Sequence, residues 1–156
     1  MINTFDLMKA MLEIAPKNDV RYYLNGVHLS RGDGKAVVIE ATCGHTLLRL
    51  DVPAPDAEQL AFMPITNVVL CRHSTTKILK LFSHKEPPVI SADEGRVYFG
   101  GFEVETVEGR FPDTKRLFSQ RTDRNRTADP QGVKLDTLSR AAKAASRLVP
   151  LAVFTA

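Results

Sequence analysis

The chain repeats one order of short elements in its two halves, and this repeat limits what it can fold into. Residues 1–52 and 59–108 each read as strand–helix–strand–strand–strand. In the first half, residues 2–5 are expected as a short strand. A helix is expected over 7–15, capped by Asp6, with Leu7, Met8, Met11, Leu12 and Ile14 on its apolar side. Pro16 and Asn18 end it. Strands follow at Val20–Ser30, Lys35–Thr42 and His45–Val52, with Arg31-Gly32-Asp33-Gly34 as a hairpin turn. The second half offers a strand at Gln59–Pro64 and a helix over 74–82 with Ser74 as its cap. Short strands come next at Pro87–Ala92, Val97–Gly100 and Phe102–Val107, turning at Asp93-Glu94-Gly95 and Gly100-Gly101. The halves share order rather than identity, which predicts duplicated α+β modules with helices on one face of antiparallel sheet.

Residues 111–131 read as a linker, with Pro112, Pro130 and a polar run from Ser119 to Asp129. Residues 132–156 then open a third module. This has a short strand at Val133–Leu135, a helix over 137–147, and an apolar strand-like stretch from Val149 to Thr155. On this helix Arg140, Lys143 and Arg147 form one stripe opposite its apolar side.

Charge separates the parts. Residues 1–109 hold 11 Lys and Arg against 14 Asp and Glu, whereas residues 110–156 hold 10 against 4. A basic final third on a mildly acidic body suits a polyanion partner; a solvated basic tail is the plainer alternative. No apolar run is long enough to span a membrane, and the first residues lack the charge-then-apolar order of a secretory leader. With Cys43 and Cys71 as its two cysteines, the chain is expected in a reducing, cytoplasmic compartment without membrane attachment.

Three stretches resemble one family. They are Val20-Arg21-Tyr22-Tyr23-Leu24-Asn25-Gly26-Val27, Ala41-Thr42-Cys43-Gly44-His45-Thr46-Leu47 and Val107-Glu108-Gly109-Arg110-Phe111-Pro112-Asp113. In order and spacing they are similar to runs in the bacterial sliding clamp, the beta subunit of DNA polymerase III. The resemblance covers the clamp's second domain over 1–110 and the opening of its third. It implies the DNA-clamp fold and a ring around duplex DNA with helices lining the hole. It also implies a homo-oligomeric scaffold without a catalytic site or cofactor.

The same resemblance implies an apolar pocket for linear peptides of polymerases and clamp loaders, which takes Leu and Phe side chains from an extended segment. Its matching positions here are Leu24, Thr42, Gly44, His45, Leu47, Pro112, Arg116 and Leu117. Cys43 and Thr46 depart from the Asp and Arg that the family often carries beside Gly-His. The loss of that Arg removes a long stem from the pocket rim. For non-specific contact with phosphates the candidates are Lys9, Lys77, Lys80, Arg140, Lys143 and Arg147 on helix faces. A phage-type mimic or decoy that binds replication proteins without encircling DNA is the competing reading.

Other chemistry fits less well. Cys43-Gly44-His45 and Cys71-Arg72-His73 give two Cys-x-His pairs, but the spacing is unlike structural zinc sites, so no metal is expected. No phosphate-binding Gly-rich loop occurs. Glu103 and Glu105 share one face of a strand, an arrangement typical of solvated faces.

Overall fold

The structure is a computed structural model and describes residues 3–33, 36–52, 67–116 and 135–148. The expected strands at 59–64 and 149–155, residues 133 and 134 of the strand expected at 133–135, and most of the 111–131 linker lie outside the described residues; Leu135 belongs to a helix instead.

The first helix, α1, spans Thr4–Ile14. The expected strand at 2–5 gives way to it, because Asn3 supplies a cap earlier than Asp6. Asn3 Oδ1 accepts the amides of Phe5 and Asp6 at 2.9 and 3.3 Å, and Asp6 falls in the first turn. Such a cap is worth about 1 kcal/mol. Ala15 ends the helix in an extended conformation, as a residue before proline must. The expected strand from Val20 is also corrected. Tyr22–Leu24 forms one 3-10 turn, and β1 begins only at Gly26 and runs to Arg31. The reason lies in Asn25, whose side chain accepts the Asp19 amide and donates to the Asp19 carbonyl, folding 19–25 back on itself.

Strands β2 (Val37–Thr42) and β3 (Leu47–Val52) follow close to expectation. A strand absent from the sequence reading, β4 (Asn67–Cys71), precedes helix α2 (Arg72–Leu79). Ser74 is therefore inside α2 rather than at its cap, and its Oγ accepts the Glu105 amide at 3.1 Å. Next come β5 (Ile90–Asp93), β6 (Arg96–Phe99) and β7 (Phe102–Val104), joined by tight turns at the expected glycines. The expected strand 102–107 is split at Glu105: β7 ends there, and β8 (Thr106–Val107) crosses to the other sheet. Glu105 makes the crossing, with its carbonyl accepting the Cys71 amide. Helix α3 covers Leu135–Leu148.

One sheet has the order β3-β2-β1-β4-β8 and the other β5-β6-β7, and every pair is antiparallel. Their apolar faces share one core with the helices. Leu7, Met8 and Met11 of α1 and Leu79 of α2 join Val27, Leu29, Ile39 and Leu70 of the first sheet and Ile90, Val97 and Phe99 of the second. Ala144 brings α3 onto the same core. This is an α+β architecture of antiparallel sheets with helices against one face.

Register sets up the site. On the core side, Val68, Leu29, Ile39 and Leu50 lie opposite one another across four strands. One residue along, Val69, His28, Glu40 and Arg49 make the neighbouring row on the outer face. Because successive side chains alternate, a slip of one residue would exchange the two rows.

Candidate functional site

The 3-10 turn at 22–24, with Arg21 before it, is where the three distinctive stretches meet. Arg21 is held by Asp19: its Nε and Nη2 donate to the two carboxylate oxygens at 2.9 and 2.7 Å. Hydrogen bonds from the Arg21 side chain and amide lower the Asp19 pKa to about 2. So anchored, Arg21 Nη2 donates to the Cys43 carbonyl at 3.3 Å. Gly44 adopts φ +86°, and a Cβ there would come within 2.7 Å of the Arg21 guanidinium. Glycine is what admits this approach. The turn is closed from within by Thr42, whose Oγ1 donates to the Thr46 carbonyl and accepts the Gly44 amide.

On its other side the 3-10 turn meets residues 109–111. Gly109 has φ +132°, and a Cβ would approach Tyr23 Cβ to 2.9 Å. Leu24, Val69 and Phe111 then form a second, small buried cluster, with Tyr23 and Val107 packed against it. The described pocket positions read from the sequence lie on this turn or on the two segments whose Cys43, Gly44, Gly109 and Phe111 it meets. Leu24 is buried, Leu47 is half-buried, and His45, Pro112 and Arg116 are exposed. Leu117 lies outside the described residues.

The segment that carries Pro112 and Arg116 is pinned to the outer face of the first sheet by residues the sequence reading missed. The Phe111 ring stacks on His28 with centroids 4.3 Å apart and planes 13° apart. His28 Nδ1 faces Glu40 Oε2 at 2.9 Å, and Nε2 faces Asn67 Oδ1 at 2.6 Å. Glu40 Oε1 accepts from Arg49 Nη1 at 3.1 Å and from the Thr114 hydroxyl. Arg49 Nη1 also donates to Thr114 Oγ1 at 3.2 Å. His28, Glu40 and Thr114 are all buried. Burial pushes the Glu40 carboxyl up, but hydrogen bonds from His28 and Thr114 and the charges of His28 and Arg49 outweigh it, so its pKa is lowered. A cleft of about 490 Å³ opens beside this network, lined by polar groups that include Glu40 and Arg49 and by the apolar Val38, Phe111 and Pro112. A signal was present in the sequence: Glu40 interrupts the apolar run Val37-Val38-Ile39, and a charge there has to be paired.

The basic candidates separate into two groups. Lys77, Lys80 and Lys143 are exposed, and Lys9 lies over the Phe5 ring at 5.4 Å. Arg140 and Arg147 turn inward instead. Arg140 Nε and Nη2 donate to the carbonyls of Glu13 and Ile14, both at 3.1 Å, and Arg147 pairs with the Glu13 carboxylate at 3.0 Å. Arg72 Nη1 donates to the carbonyls of Leu12 and Ala15. Two guanidinium groups therefore satisfy the last carbonyls of α1, at the negative end of its dipole. This capping holds α3 against α1.

The two thiols, Cys43 and Cys71, are half-buried and not disulfide-bonded. Among the described residues there is no cluster of three or more His, Cys, Asp and Glu side chains placed to hold a metal. No helix among them is long and apolar enough to cross a membrane.

No protein-family model matches the chain. Among known proteins, the beta sliding clamp of Salmonella typhimurium is 30% identical over 112 residues, covering 69% of this chain and 29% of that protein. That of Vibrio cholerae is 32% identical over 111 residues, with 68% and 29% covered. The chain spans less than a third of the length of these relatives. Among solved structures, a sliding clamp from Bartonella birtlesii bound to griselimycin superposes with a TM-score of 0.56 at 27% identity, covering 72% of this chain and 32% of that one. A clamp from Caulobacter crescentus gives 0.57 at 21% identity, with 78% and 34% covered. Sequence and architecture agree, and over its matched part the chain belongs to the beta sliding clamp family of DNA polymerase III beta subunits.

Proposed function

We propose that this chain is a docking scaffold of DNA replication that works without chemistry of its own. It receives short linear peptides of polymerases and clamp loaders at the site formed by Leu24, Thr42, Gly44, His45, Leu47, Pro112, Arg116 and Leu117. One observation carries this reading: the turn at 21–24 draws the 42–47 turn and the 109–112 segment to itself, so three stretches distant in sequence share one surface. Half-buried Leu47 beside exposed polar groups gives the mixed apolar and polar lining that a peptide anchor needs. The matched domain corresponds in this reading to the second domain of the clamp, and homo-oligomerisation supplies what one chain lacks.

The test is fluorescence polarisation with a labelled Gln-Leu-x-Leu-Phe-type peptide. Leu47→Asp is expected to abolish binding while the fold persists. Leu24→Asp is the poorer variant, because Leu24 is buried in the small cluster and its loss would also unfold the site. Unchanged affinity in Leu47→Asp overturns the reading.

Non-specific contact with duplex DNA belongs to the same proposal and rests on Lys77, Lys80 and Lys143. Lys77→Glu with Lys80→Glu is expected to weaken retention on DNA and to flatten its salt dependence. Arg140→Glu is not a clean probe, since it would also uncap α1. The inward turn of Arg140 and Arg147 favours a second reading, in which the chain engages replication proteins as a mimic without holding DNA. Equal retention in the double Lys variant supports that alternative.

A further inference from the structure

Residues 108–114 form no helix or strand. Among the described residues they make no backbone-to-backbone hydrogen bond outside the regular elements. Two of their side chains are nevertheless buried, Phe111 at 6% exposure and Thr114 at 3%. Among the described contacts, side chains therefore set the position of this strap. An apolar contact such as Leu24 against Phe111 holds a segment down but tolerates sliding, because it has no direction. Hydrogen bonds to a charge do have direction.

We propose that His28, Glu40 and Thr114 are a latch that fixes the register of the 110–116 strap on the sheet. Through the strap they act as positioning residues for the peptide site. Glu40 sits at the centre. Its Oε2 orients the His28 ring, which Asn67 holds from the other side, so the ring presents a fixed plane to Phe111. Its Oε1 takes the Thr114 hydroxyl, and Arg49 bridges both partners. The two contacts lie three residues apart on the strap, on either side of Pro112, whose own ring restricts the backbone between them. With both ends pinned, Pro112 has one position relative to Leu24, and Arg116 follows two residues beyond the second pin. Among the described residues, no ladder of main-chain bonds duplicates this control.

The peptide half of the proposal rests on the docking function given above; the latch itself does not. Thr114→Val removes the hydroxyl while keeping the shape of the side chain, so the sheet is expected to stay folded. Tryptic cleavage of the Arg110–Phe111 bond, followed by mass spectrometry under native conditions, needs the buried Phe111 to lift and is expected to quicken about tenfold, the scale of one hydrogen bond to a charged group. Affinity for the Gln-Leu-x-Leu-Phe-type peptide is expected to fall by a similar factor. Hydrogen exchange at Leu29 and Ile39 on the core side should not change. Thr114→Ser, which restores the hydroxyl, should return both strap cleavage and affinity towards the wild type. Unchanged strap cleavage in Thr114→Val overturns the latch. Quickened cleavage with unchanged affinity overturns its role in positioning the site. A wild-type chain that binds no peptide sinks the docking reading alone, because strap cleavage still decides whether the latch exists.

Discussion

Two rows of side chains cross the first sheet one residue apart, and they solve burial differently. The row Val68, Leu29, Ile39 and Leu50 faces α1 and is wholly apolar. The row Val69, His28, Glu40 and Arg49 faces the strap and carries two opposite charges and a ring with two polar edges. Strand β2 belongs to both, and all six of its residues are buried. The apolar row stabilises through area removed from water and would accept many partners of similar volume. The polar row gains little net free energy, since desolvating its charges offsets much of their attraction. What it adds is selection of one position for the segment above it. The contrast separates stability, held on the helix side, from the geometry of the candidate site, held on the strap side.

The sharpest way to break that division is to damage each row and compare. Leu29→Ala leaves a cavity in the main core and is expected to cost about 2–5 kcal/mol in denaturant unfolding, the largest single effect here. Glu40→Ala leaves the Thr114 hydroxyl and one edge of His28 without their partner and is expected to cost about 1–3 kcal/mol. Arg49 reaches solvent in part, which keeps this below the loss of a fully enclosed ion pair. If Glu40→Ala proved as costly as Leu29→Ala, the outer row would be structural in the same sense as the inner one, and the division would fall.

The strands that carry the two rows were partly legible in the sequence, and the partners of the outer row were not, for a physical reason. Apolar alternation in Val27, Leu29, Ile39 and Ala41 announces a face to be buried. A polar residue such as His28 announces solvent by default, and even Glu40, whose place beside an apolar run calls for a partner, does not say which residue that partner is. Thr114 is 74 residues from Glu40. The same limit explains Arg140 and Arg147, whose stripe on α3 suggested an open cationic face until the carbonyls of α1 came within reach. Local competition accounts for the other corrections. Asn3 outbids Asp6 as a cap, and Asn25 folds residues 19–25 into a turn where the β-forming types Val20, Tyr22 and Tyr23 suggested a strand. Among the peptide-site positions, the 42–47 turn was readable because Gly44 and Thr42 act within a few residues. The approach of 109–111 to Leu24 was visible only as a resemblance.

The two rows also differ in how they answer pH, which sharpens the comparison at smaller amplitude. The Glu40 pKa is lowered in the folded state. A lowered carboxylate contributes stability that is fully present above its unfolded pKa, about 4.3, and is lost as pH falls through the folded value. Acid unfolding monitored by circular dichroism should show Leu29→Ala and the wild type losing stability in parallel, offset by a constant. Glu40→Gln removes the titrating group, so its gap to the wild type is expected to narrow as pH falls below about 4. A gap that stays constant through that range would mean that Glu40 is not what couples the outer row to protons.

The smallest effect tests whether the strap is held by its buried pins or by charge at its rim. Lys115 Nζ lies 3.8 Å from Asp33 Oδ1, and both side chains are largely exposed. Water and salt screen such a pair, which is worth about 0–1 kcal/mol. Lys115→Ala is therefore expected to leave unfolding within about 0.5 kcal/mol of the wild type. It should also leave tryptic cleavage of the Arg110–Phe111 bond unchanged. Thr114, its neighbour, differs only in pointing inward to Glu40, so adjacent substitutions on one strap should give opposite outcomes. If Lys115→Ala loosened the strap as much as Thr114→Val, long-range charge rather than directed hydrogen bonding would be setting its place, and the polar row would lose the role that distinguishes it from the apolar one.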